Sequence, residues 1–243
     1  DGTMFLLWLL APSALSFAPT SCTSLARAWR GAVPVCAAGL DTFSSASWPT
    51  LQATLDLIPV FSCADEQAAP IQYERNGTPL ALFYADVEAA QAELASSREM
   101  FPHDPIDLVP FGLGAAFKLA AEDKAMLIPS SSEITAAGGP PGVSPVGQAL
   151  PLFVCMEMSE EQPDGTPRLP LFMSKADALK AIAEATETDS PEEQLDLVCI
   201  SLDRAIELLV TVEPGKEAPS FRFIPPSSSL RFINEYVNND QQQ

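Results

Sequence analysis

From Leu57 onward, short apolar runs alternate with amphipathic stretches, and the series occurs twice. In the first round, Leu57 to Cys63 and Leu80 to Tyr84 have the length and β-branched or aromatic content of strands. Asn76-Gly77 between them favours a turn with positive φ. Asp86 to Ser96 predicts a helix, Ile106 to Phe111 a third strand, and Leu113, Ala116 and Phe117 the apolar stripe of a second helix. A last strand ends at Pro129, which cannot donate to a ladder. In the second round, Ala149 to Met156 and Leu169 to Met173 flank an Asp164-Gly165 turn. Ser174-Lys-Ala-Asp177 then opens a helix as a capping box would, with Leu179, Ile182 and Ala183 on one face. Leu195 to Ile200 is the third strand. Ser201 is placed to cap the next helix, on which Leu202, Ala205, Ile206 and Leu209 line one side. The closing strand ends at Pro225.

The two rounds are related residue by residue. Ile58-Pro-Val-Phe-Ser-Cys63 matches Leu150-Pro-Leu-Phe-Val-Cys155 at an offset of 92, counted from Pro59 to Pro151. Ile106-Asp-Leu-Val109 matches Leu195-Asp-Leu-Val198 at an offset of 89, counted from Ile106 to Leu195, and Leu82-Phe83 lies over Leu171-Phe172 at the same offset. Ile128-Pro-Ser-Ser-Ser132 echoes Ile224-Pro-Pro-Ser-Ser-Ser229. Matched blocks that keep their order mark an internal repeat. Strands alternating with helices predict an α/β (α+β) fold. It consists of two pseudo-symmetric halves, each with about four strands and two helices, packed as one body because one half alone buries only a modest core. The expected organisation is a first half at 51–128, a Gly-, Pro- and Ser-rich linker at 129–148, a second half at 149–237 and a disordered tail at 238–243.

Charge separates a leader from this body. The chain carries −19, yet no acid lies between Gly2 and Leu40, where the only charges are Arg27 and Arg30. Met4 to Leu10 is an apolar core too short to span a bilayer, followed by small residues, as in a signal peptide at 1–16. The Ser- and Ala-rich, acid-free stretch at 17–40 suits a transit peptide. The junction Ala14-Leu-Ser-Phe-Ala-Pro19 resembles the two-part leaders of complex plastids of red-algal type, in which a Phe follows the signal sequence. The alternative is the signal peptide of a secreted protein. The mature start is expected between Ala37 and Trp48. The acidity of the rest opposes binding to nucleic acid or anionic lipid and keeps a protein soluble.

The inventory of reactive groups is thin. The lone histidine, His103, sits in a Pro-rich stretch and reads as a loop residue. Cys63, Cys155 and Cys199 fall in apolar strands without Cys-x-x-Cys spacing and read as small core residues. Cys63 and Cys155 occupy equivalent repeat positions, so a pairing across the pseudo-axis stays open. No Gly-rich phosphate loop follows a strand. No catalytic residue, metal site or cofactor is expected.

The repeated blocks carry a resemblance. Leu169-Pro-Leu-Phe-Met-Ser-Lys-Ala-Asp-Ala-Leu179, Val198 to Leu209, Phe221-Arg-Phe-Ile-Pro225 and Ile58-Pro-Val-Phe61 resemble the Tic-twenty-two-like family, over roughly Leu51 to Val237. The family is named for a soluble component of the chloroplast inner-envelope translocon. The resemblance implies two similar α/β halves with apolar grooves beside a sheet, no catalytic residues, and chaperone-like handling of preproteins. The expectation is therefore a non-enzymatic plastid protein that is peripheral to membranes, in the stroma or the envelope intermembrane space. Its partners would be extended apolar polypeptides, bound along Leu113, Ala116, Phe117, Leu202, Ala205, Ile206 and Leu209. The competing expectation is an accessory subunit docked on a photosynthetic thylakoid complex; an enzyme is the third class. An exposed groove with transient partners separates the first from the second, which needs one fixed interface of roughly 1,200 Å² or more.

Overall fold

The structure, a computed structural model, describes residues 17–19, 40–75, 77–161, 167–186, 196–211 and 220–240. The expected signal peptide at 1–16, most of the expected transit peptide, the Asp164-Gly165 turn and the last three residues, 241–243, lie outside the described residues. Of the leader, Phe17–Pro19 is described, as a short strand β1.

A 3-10 turn (Leu40–Ser44) and helix α1 (Trp48–Leu55) precede the first half. That half runs β2 (Pro59–Ala64), β3 (Gln72–Arg75), β4 (Thr78–Tyr84), α2 (Val87–Met100), β5 (Asp107–Gly112), α3 (Leu113–Ala121) and β6 (Ala125–Ile128). Helix α4 (Ser131–Ala136) follows, inside the Gly-, Pro- and Ser-rich stretch. The second half repeats the order as β7 (Pro151–Cys155), β8 (Met158–Glu161), β9 (Pro167–Phe172), α5 (Lys175–Thr186), β10 (Leu197–Ser201), α6 (Leu202–Thr211) and β11 (Ser220–Ile224). Helix α7 (Ser227–Asp240) closes the chain and extends into the stretch expected to be a tail.

Each half is an α+β unit with one sheet. The strand orders are β3-β4-β2-β5 and β8-β9-β7-β10, antiparallel throughout, with β6 parallel to β4 and β11 parallel to β9. The topologies are the same, and the registers align equivalent residues, with one correction to the repeat: Tyr84, not Phe83, is the counterpart of Phe172, and Phe83 that of Leu171, so the Leu82-Phe83 match slips by one residue. Phe61 bridges Tyr84 as Phe153 bridges Phe172, and Tyr84 faces Ile128 as Phe172 faces Ile224. The sheet around β8 gains β1, with Phe17 opposite Glu160. The additional strands β3 and β8 raise each half to five strands of its own. Gly77, with φ +79°, lies in the β3–β4 turn, where Arg75 pairs Thr78; Asn76 lies outside the described residues.

Strand alternation sorts side chains into three cores. Val60 and Phe83 from one sheet, and Leu152, Val154 and Leu171 from the other, meet in a core shared by both halves and by α1, α3 and α6. The alternate positions face outward. Phe61, Tyr84 and Leu108 pack under α2, whereas Phe153, Cys155 and Phe172 pack under α5.

The segments after the Ile-Pro-Ser blocks exchange places. Helix α7 leaves β11 of the second half and seats Phe232 and Ile233 on the outer core of the first, with Phe232 edge-on to Phe61 at 5.4 Å. Helix α4 leaves β6 of the first half and lays Ala136 on the outer core of the second. It is tied there by the Lys175 backbone N–H donating to Glu133 Oε2 at 2.9 Å and by Lys175 Nζ donating to the Ala136 carbonyl at 3.2 Å.

Candidate polypeptide-binding surfaces

The stripes of α3 and α6 point into the shared core. Leu113, Ala116, Phe117, Leu202, Ala205 and Ile206 are all buried, and Leu209 is partly buried against the same cluster. The spacing on each helix was read as an exposed groove; the structure uses it to join the halves. Burying a large aliphatic or aromatic side chain is worth about 1.5–3 kcal/mol, so the joint is a main source of stability. An amphipathic helix of either kind presents the same sequence pattern.

Local chemistry explains why these helices sit where they do. The α3 N-terminus lies hard against the end of α1: a Cβ on Gly112 would meet Asp56 Oδ1 at 2.6 Å, and one on Gly114 would meet the Gln52 carbonyl at 2.7 Å. Asp56 Oδ1 accepts from the Ala115 N–H at 2.8 Å and satisfies one of the helix's first amides. Ser201 caps α6 through the Arg204 N–H at 3.2 Å, and Ser174 caps α5 through the Asp177 N–H at 3.3 Å, as their positions in the sequence suggested. Asp177 in turn accepts from the Ser227 N–H and hydroxyl at 2.8 and 2.9 Å, holding the start of α7.

The remaining candidates are quickly placed. His103 is exposed in the loop between α2 and β5. Cys63, Cys155 and Cys199 are free thiols, each pushed up to about 11 chiefly by burial, which makes them poor nucleophiles. Cys63 and Cys155 stand on the outward faces of different sheets, with the shared core between them, so the two are not paired. Among the described residues, no group of three or more His, Cys, Asp or Glu could hold a metal ion. Nor is any described helix long and apolar enough to cross a membrane.

Two polar features were not anticipated. Under α2, the Tyr73 hydroxyl donates to Glu93 Oε1 at 2.7 Å and lies 3.4 Å from Ser97 Oγ. Burial, with Glu93 adding to it, pushes the Tyr84 hydroxyl well up as well. Glu93 and Ser97 are one helical turn apart, but nothing in the sequence links them to Tyr73. Second, a cleft of about 150 Å³ opens where the two exchanged segments pass, lined in part by Asp86, Glu88, Ser130, Glu133 and Ser174. Burial pushes the Glu133 carboxyl up, against the lowering effect of the Lys175 N–H.

The outer faces differ in how completely they are covered. On the first half, Leu108 and Ile128 are 2% exposed. Their counterparts Leu197 and Ile224 are only half-buried, as is Cys199 beside them on β10. Long α7 closes the first face; six-residue α4 reaches only part of the second. Half-exposed Ile182 and Ala185 of α5 border the same face.

No protein-family model matches the chain, and no curated protein matches it in sequence. Solved structures do. Tic22 from Plasmodium falciparum superimposes with a TM-score of 0.62 at 18% identity, covering 78% of this chain and 98% of that one. Anabaena Tic22, a structure titled as protein transport, gives 0.59 at 17% identity, covering 78% of this chain and 97% of the other. These two solved chains are matched almost end to end, and the chain has the fold of the Tic22 proteins.

Proposed function

We propose that this chain is a non-enzymatic plastid protein that holds polypeptide segments during protein import. The observation that carries the reading is the likeness in fold to two Tic22 chains, each covered almost end to end and one of them described by the words protein transport. The acid-free leader with Phe17 supports a plastid address. Burial that drives the core thiols away from their reactive form leaves them to packing. Because the α3 and α6 stripes are consumed in the shared core, the contact surface is assigned to the half-exposed apolar positions of the outer faces. The test mixes the protein with an equimolar denatured client and follows light scattering. Slowed aggregation, together with plastid fluorescence of a fusion carrying residues 1–48, is the expected result. Unchanged aggregation with stable co-migration in a thylakoid complex would replace this reading with that of a docked subunit.

A further inference from the structure

We propose that the edge of the second sheet along β8 is a receptor for an extended, acid-free leader segment, added as a further strand. This deepens the polypeptide-holding function and rests on it for the choice of partner. The chain shows the mode on itself. Its own leader residues Phe17–Pro19 form β1 and pair β8 antiparallel, with Phe17 opposite Glu160, Ala18 opposite Ser159 and Pro19 opposite Met158. Recognition of this kind uses main-chain hydrogen bonds, so it asks an extended backbone of the partner and not one fixed sequence. Pro19 has no N–H to donate, and the added strand ends there.

The course of β8 explains why this edge takes a strand. From Arg168 onward β9 pairs β11, and β8 keeps only Glu160 and Glu161 beside it. Among the described residues, β1 is the strand that pairs Met158 and Ser159. Both are buried, at 2% and 7% exposure, so water is a poor substitute for a strand there. The equivalent edge of the first half is finished differently. On β3, Gln72, Glu74 and Arg75 are exposed, a charged and hydrated edge that discourages strand addition, and among the described residues no strand lies beyond it.

Charge and processing name the occupant. The stretch from Gly2 to Leu40 has no acid, and its bases are Arg27 and Arg30, whereas the whole chain carries −19. Glu157 is exposed at the start of β8. Such a surface attracts an acid-free leader and repels an acidic segment. With a mature start between Ala37 and Trp48, processing removes β1 and opens the edge to the leader of another polypeptide.

The test compares the full chain with a full chain carrying Phe17→Pro and Ala18→Pro, which strips the donors from β1 without touching the body. A fluorescently labelled peptide of residues 14–21 is the probe; binding is followed by anisotropy and mapped by hydrogen exchange. The variant should melt at the same temperature and exchange faster at residues 158–160. It should bind the peptide saturably, regain protection there, and do so about tenfold or more tightly than the unaltered chain, whose own segment competes. N-methylation of the peptide at Phe17 and Ala18 keeps every side chain and should cost about tenfold or more. Ser16→Asp with Thr20→Asp in the peptide should also weaken binding. Equal exchange at β8 in both chains, peptide protection on β3 instead, or indifference to N-methylation overturns strand addition. Equal binding of the acidic peptide overturns the leader as occupant, and so does a dimer of the unaltered chain formed by exchange of β1. If the peptide does not bind while client aggregation is still suppressed, this site is refuted and the holding function stands; if the peptide binds β8 while suppression fails, the function is refuted and the strand site stands.

Discussion

The two outer faces are built from one plan and finished differently. On the first, Phe61, Tyr84, Leu108 and Ile128 lie buried beneath α2 and α7, with Leu82, Leu94 and Met126 partly buried around them. On the second, Phe153 and Phe172 are sealed by α5, but the rim at Leu197, Cys199 and Ile224 is not. The difference originates in a short stretch after each Ile-Pro-Ser block. One continues as Leu230, Phe232, Ile233 and Tyr236 at helical spacing; the other breaks at Gly138-Gly139-Pro140-Pro141. Duplication thus left a stabilising face and an accessible one, separated by the length of a single helix.

Paired substitutions sharpen this contrast. The largest effect is expected at the β6 and β11 isoleucines. Ile128→Ala should cost about 2–5 kcal/mol, because a sealed site cannot collapse around the cavity. Ile224→Ala should cost on the order of 1 kcal/mol, since the residue is already partly hydrated. Urea unfolding of both variants measures the gap, and equal costs would break the comparison. Next, Phe232→Ala removes the edge-to-face contact with Phe61 and should cost about 2 kcal/mol. It should also raise binding of a hydrophobic dye to the first face, read by fluorescence.

Asp177→Ala comes third. It deprives the α7 start of two hydrogen bonds, at a cost of about 1 kcal/mol, and should speed amide exchange in the first turn of that helix. The smallest effect concerns Glu133 on α4. Its folded carboxyl is raised above the usual 4.5, so the folded state holds the proton more tightly than the unfolded state does. That contribution is complete below about 4.5 and is lost as pH rises through the folded value. Glu133→Gln keeps an acceptor for the Lys175 N–H and should flatten the stability slope above that pH. The change should be less than about 1 kcal/mol, given the partial exposure. Urea midpoints at acid and neutral pH read it.

Much of the scaffold was legible because it is written in short-range signals. The Pro-Phe-Cys and Leu-Asp-Leu-Val blocks became equivalent strands, and Ser174 and Ser201 became caps. The destination of the helices was not legible. The α3 and α6 stripes predict only that something apolar covers them, and that something is the other half. Helix α7 carries Leu230, Ile233 and Val237 at helical spacing, a signal that was available, yet no local pattern says that its core lies in the first half. Strands β3 and β8 were missed because Gln72–Arg75 and Met158–Glu161 are short and largely polar. The Tyr73–Glu93 contact joins a strand to a helix across a span with no motif.

The exchange of α4 and α7 has a consequence for ancestry. Each half receives on its outer face a helix delivered by the other, so a single ancestral half would have gained that helix only as a pair exchanging it. Joining two copies head to tail converts such a pair into one chain without moving an atom of either face. Once fused, the two helices are encoded separately, and one can shorten while the other keeps its length. Asymmetry of that kind is closed to a symmetric homodimer, in which every substitution appears on both sides at once.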